Sequence, residues 1–122
     1  MKDDNVIKDK SMEFAVRIVK LSRFLSEEKR EYVLSKQVLR SGTSIGANVR
    51  EGIYAQSTKD FVSKMSIALK EAAETEYWLE LMHRSELLTE EAYKSIMCDC
   101  KELCKMLTVI VRKSKHNLNA TG

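Results

Sequence analysis

The chain has no proline, four glycines and two histidines among its 122 residues, and it holds no long uninterrupted apolar run. Without such a run, which would need about 18 residues, the sequence offers no membrane-spanning helix. With so few histidines, a self-contained di-metal site of the helical-bundle type cannot be assembled. Glu80 and His83 have its i, i+3 spacing, but the only other histidine is His116, near the C-terminus. There is no strand followed by a glycine-rich phosphate loop, no nucleophile elbow and no Cys–His pair. Cys98, Cys100 and Cys104 do not have a zinc spacing, and no fourth ligand lies nearby. No catalytic residue, metal site or cofactor is expected.

Charge of one sign is also scarce. The chain carries 21 basic and 18 acidic residues, a net charge of +3. This is not the excess of a dedicated nucleic-acid coat, although it permits nucleic-acid binding. The first ten residues, MKDDNVIKDK, lack an apolar signal core. Three clustered cysteines, an odd number, suit reduced thiols. Together these features lead us to expect a cytoplasmic protein with no membrane partner.

What is present is helical pattern. Apolar residues make up 43% and charged residues 32%, which suits a bundle with a solvated exterior. The spacing predicts a first helix over about 10–25, with Phe14, Ala15, Ile18, Leu21, Ser22 and Leu25 on one face. Ser26, followed by Glu27 and Glu28, reads as the start of a second helix that ends near 54–56. Ser57 or Thr58 would cap a third helix reaching Arg84. Its seam is Phe61, Met65, Ala68, Ala72, Thr75, Leu79 and Met82. Thr89, Glu90 and Glu91 open a fourth helix, with Ile96, Cys100, Leu103, Leu107 and Ile110 as its stripe. The expected fold is all-α, an antiparallel up-down-up-down four-helix bundle. It forms one domain over 1–122, with frayed ends at 1–9 and 116–122.

The least ordinary stretch is Gln37–Gly52, QVLRSGTSIGANVREG. Glycine costs about 1 kcal/mol against alanine inside a helix, so packing must hold this one. On a helical wheel Leu34, Val38, Ser41, Ile45, Val49 and Gly52 form the core stripe. Gln37, Ser44 and Asn48 run along one flank, with Arg40 and Glu51 just outside. Gly42 and Gly46 line the other flank, where another backbone could approach closely. Glu76 lies beside the apolar side of the third helix and needs a partner. Gln37, Arg40, Ser44 and Asn48 are its candidates, unless it reaches water instead.

Gln37, Arg40-Ser41, Ser44-Ile45, Asn48 and Glu51-Gly52 also resemble a family signature, Q-x-x-R-S-x-x-S-I-x-x-N-x-x-E-G. That family comprises four-helix-bundle proteins encoded by intervening sequences in 23S ribosomal RNA genes. It is related to the accessory variability proteins of diversity-generating retroelements. The resemblance continues through Phe61, Ile67-Ala68-Leu69, Glu74, Glu76 and Leu79. It implies a ring-shaped homopentamer, and its retroelement relatives imply structured RNA and a reverse transcriptase as partners. Arg17, Lys20 and Arg23, with Arg112, Lys113 and Lys115, are the candidate phosphate contacts. For the first of these rows an ordinary solvated face is the simpler reading, and a phosphate-binding surface is the functional one. The other function class is a structural or protein-interaction scaffold, in which the glycine and polar flanks serve assembly alone.

Overall fold

The computed structural model describes the backbone over residues 2–121 and the side chains of 5–120. It has four helices among the described residues: α1 (Lys2–Glu27), α2 (Leu34–Ile53), α3 (Thr58–Arg84) and α4 (Glu90–Thr121). Each helix packs on its neighbours in sequence, and α1 closes the ring of contacts on α4. Among the described residues no diagonal pair of helices brings its backbones within 8 Å. Short connections make successive helices antiparallel, so this is the expected four-helix bundle.

The core is built from heptad-like seams. Ile7, Ser11, Phe14, Ile18 and Leu25 of α1 are all buried, at alternating steps of four and three with Leu21 completing the series. Buried Val38, Ser41, Ile45, Val49 and Gly52 supply α2. Met65, Ala68, Ala72, Thr75, Leu79 and Met82 supply α3. Buried Ile96, Cys100, Leu103, Leu107 and Val111 supply α4, with Ile110 only half-buried beside them.

Two helix boundaries differ from the sequence reading. The helix α1 begins at Lys2 rather than near 10, because Ile7 continues the core seam one turn further and is fully buried. Ser26 starts nothing: it lies inside α1, and its hydroxyl donates to the Ser22 carbonyl at 3.1 Å. The real start signal of α2 is Glu31. Its carboxylate accepts N–H groups from Val33, Leu34 and Ser35 at 3.2, 3.0 and 2.8 Å, satisfying the free donors of a helix start. Partial burial pushes the Glu31 carboxyl up, but these three donors outweigh it and its pKa falls below the ordinary value. The other starts are as read. Ser57 accepts the Asp60 N–H at 3.1 Å to cap α3, and Thr89 accepts the Ala92 N–H at 3.1 Å at the start of α4. At the far end α4 continues in helical form to Thr121.

Candidate functional site

The glycine flank of α2 faces α1. A Cβ on Gly42 would lie 2.7 Å from Cγ1 of Ile18, and one on Gly46 would lie 3.3 Å from the Ser11 carbonyl oxygen. The close approach expected from these glycines is therefore made to α1. On the α3 side, a Cβ on Gly52 would meet Cβ of Lys64 and Cε of Met65, each at 3.2 Å.

The polar row faces α3, but only part of it crosses. Thr75 Oγ1 donates to Ser41 Oγ at 2.9 Å within the core, and it also lies 2.8 Å from the Glu71 carbonyl. Arg40 reaches over the surface to two carboxylates, Glu71 at 3.0 Å and Glu74. Glu51 pairs with Lys64 at 3.2 Å. Ser44 and Asn48 bond within α2, donating to the carbonyls of Arg40 and Ser44 at 2.6 and 2.9 Å. Gln37 is exposed.

Glu76 does not join that row. At about 100° per residue, Glu71, Glu74 and Trp78 fall on one side of the Ala68–Ala72–Thr75–Leu79 seam and Glu76 falls on the other. There it faces α4, where the Cys104 thiol donates to it at 2.7 Å and the Lys101 ammonium stands 3.7 Å away. Cys100 is buried, half-buried Cys104 flanks it, and Cys98 is exposed. The neighbouring Cys104 thiol, together with burial, pushes the Cys100 thiol far up, which keeps it protonated and inert. No group of three or more metal-ligating side chains occurs among the described residues. His83 instead bonds Glu90 at 2.6 Å and stacks on Tyr93 with ring centroids 4.1 Å apart.

Trp78, the single tryptophan, donates its indole N–H to Glu74 at 3.0 Å. This bond, followed by the Arg40 guanidinium, holds the Glu74 carboxyl below its ordinary value of 4.5. A depressed carboxyl contributes stability that is complete above the unfolded pKa and is lost as pH falls through the folded one. That contribution is small, since Arg40 and Glu74 are 50% and 36% exposed. The optical signal is clearer. An acid titration of tryptophan fluorescence is expected to show a midpoint below 4.5, and Arg40→Gln should move it upward. A midpoint at or above the ordinary value in the wild-type protein would contradict this geometry.

The six candidate phosphate contacts do not form one patch. Arg17 is committed to α4: Nη1 bonds Asp99 at 2.6 Å and Nη2 bonds the Ser95 hydroxyl at 3.1 Å. Neighbouring Lys10 pairs with Glu102 at 3.1 Å. Lys20 and Arg23 are exposed and make no ion pair among the described residues. Arg112, Lys113 and Lys115 are likewise exposed and outside any ion pair among the described residues. Arg112 lies about 20 Å along α4 from Asp99, at about 1.5 Å per residue. The bundle thus has two basic regions, toward opposite ends.

One surface was missed in the sequence reading. Met12, Val16 and Val19 of α1 are 48%, 46% and 38% exposed. They stand at i, i+4 and i+7, a second apolar row turned away from the core seam. Met12, at one end of this row, shares a groove with Thr43, Gly46 and Ala47 of α2. The spacing of the valines was legible, but only the position of α2 shows that they stay uncovered.

The sequence model of the 23S rRNA-intervening sequence protein family matches residues 3–109. A similar crystal structure is that of a protein of unknown function from the S23 ribosomal protein family of Bacteroides thetaiotaomicron VPI-5482. It has a TM-score of 0.89 and 61% sequence identity, covering 90% of this chain and 98% of that one. No curated protein matches the chain.

Proposed function

The chain belongs to the 23S rRNA-intervening sequence protein family, and from that membership we propose that it is a non-enzymatic RNA-binding accessory module working as a ring-shaped homo-oligomer, a homopentamer, in the cytoplasm. The observation that carries the RNA reading is the run Arg112, Lys113 and Lys115. These three cations share the end of one helix, exposed and with no carboxylate in ion-pair reach among the described residues. Lys20 and Arg23 form a lesser, second basic region. Arg17 is demoted to a structural role, because a phosphate there would have to displace Asp99. Such contacts read backbone charge and not base sequence. A ring multiplies a net charge of +3 by its copy number, which gives a field that one chain lacks. An electrophoretic shift of a structured RNA at low salt supports this reading. Absence of a shift with the assembled protein would overturn it.

The exposed row of Met12, Val16 and Val19 supports assembly, since an uncovered apolar strip of this kind marks an interaction surface. The same strip favours the second reading, a protein-interaction scaffold, if its occupant is another protein such as a reverse transcriptase. Val16→Glu should dissociate the oligomer while leaving the helical content intact, because the side chain is outside the core. Sedimentation velocity checks this. A monomeric wild-type protein, or an oligomer unaffected by V16E, would remove the strip from the assembly interface.

A further inference from the structure

The last turns of α4 pass the α2–α3 corner and leave an open cleft of about 570 Å³ between them. This lies within the usual range of small-molecule sites, about 300–1,000 Å³. Ile110, Lys113 and Ser114 enter it from one face of α4, at i, i+3 and i+4. Half-buried Phe61 and Ile110, with Ile53 and Ala55, supply its apolar lining. Gln56, Thr58 and Ser114 set hydrogen-bonding groups around it. None of the residues lining it is acidic, in a chain with 18 acidic residues. Its one charged lining group is Lys113, the middle cation of the exposed basic run.

An aromatic and aliphatic lining, a ring of neutral hydrogen-bonding groups and a lysine at the edge suit one chemistry, a planar base carrying a phosphate. Every base has a face that an aromatic ring can stack on, so such a cleft tolerates any sequence. We propose that this cleft takes a single unpaired nucleotide, with the base over Phe61 and Ile110 and the phosphate at the Lys113 ammonium. The proposal rests on the RNA reading above and adds to it that the preferred RNA offers unpaired nucleotides and is not a continuous duplex. The same chemistry occurs in a free nucleoside monophosphate, and the test separates the two sources.

The test follows amide shifts of the ¹⁵N-labelled full chain on addition of an RNA hairpin with a loop, a blunt RNA duplex, and adenosine monophosphate. The cleft amides of Gln56, Thr58 and Phe61, which lie outside the basic run, are expected to move with the hairpin and not with the duplex. Affinity for the hairpin should exceed that for the duplex by about tenfold, the effect of one stacked base. Ser114→Trp, which fills the cleft from a half-buried position outside the core, should abolish that preference and keep duplex binding. Cleft shifts with the monophosphate but not with the hairpin would support the cleft while assigning it to the free nucleotide. A hairpin bound without cleft shifts would overturn the cleft and leave the RNA reading standing. No binding of either RNA and no shift with the monophosphate would overturn both.

Discussion

Replacing Gly42 with leucine is expected to destabilise the bundle by about 3 kcal/mol or more, the upper range for overpacking a core. Even alanine should be harmful here. On an open helix face, glycine to alanine stabilises by about 1 kcal/mol, so the expected sign is reversed. The reason is geometric. The first added carbon would sit 2.7 to 3.0 Å from three side-chain carbons of Ile18. Ile18 is fully buried among core residues and has nowhere to turn. The only relief is to move α1 away from α2, which opens the seam along its length. Gly46→Ala should be much milder, because its new carbon would meet the Ser11 carbonyl oxygen at 3.3 Å, and a shift of a few tenths of an ångström relieves that contact. Thermal unfolding checks both. A Gly42→Ala variant with an unchanged or raised Tm would show that the two helices do not depend on this contact.

Charge reversal at Arg112, Lys113 and Lys115 together should reduce RNA affinity by at least about a hundredfold at low salt. It should also flatten the salt dependence. Each lost phosphate contact removes about 0.7 to 0.9 from the slope of log affinity against log salt, so three remove roughly two or more. The fold should survive, because all three side chains are exposed. Reversal of Lys20 and Arg23 should do less, and Arg17→Gln should leave RNA binding almost unchanged while loosening the α1–α4 contact through Asp99. If Lys20 and Arg23 dominated instead, the interface would lie at the other end of the bundle.

These two predictions differ in how much of their basis was readable in the chain itself. The bundle was readable because its seams are local. Steps of four and three through Phe14 to Leu25, and again through Met65 to Met82, fix a buried face whatever lies opposite. The glycines of α2 were readable as a close approach, but their partner was not. Nothing local says that Gly42 meets Ile18 and not α3. Glu76 shows the same limit: its nearness to the apolar side was visible, while the helix it faces depends on how α3 is turned between α2 and α4. Arg17 was read as a candidate phosphate contact because its partner Asp99 lies on a different helix, far along the chain. The α2 start was misplaced because Ser26 has the look of a cap, whereas Glu31 caps through a carboxylate reaching forward to three N–H groups. The cleft at the end of the bundle was not readable at all, since α2, α3 and α4 each supply part of its wall.

The central claim is that exposed, unpaired cations on an assembled bundle bind RNA through its phosphates. It is tested most directly by titrating the purified protein, sized in the same buffer, with structured RNA, single-stranded RNA and duplex DNA at several salt concentrations. The account predicts binding by an oligomer, a preference for RNA, and log affinity falling steeply with log salt, by about 0.7 to 0.9 per phosphate contacted. An assembled oligomer that binds none of the three at low salt would contradict it, and the exposed strip on α1 would then point to a protein partner instead.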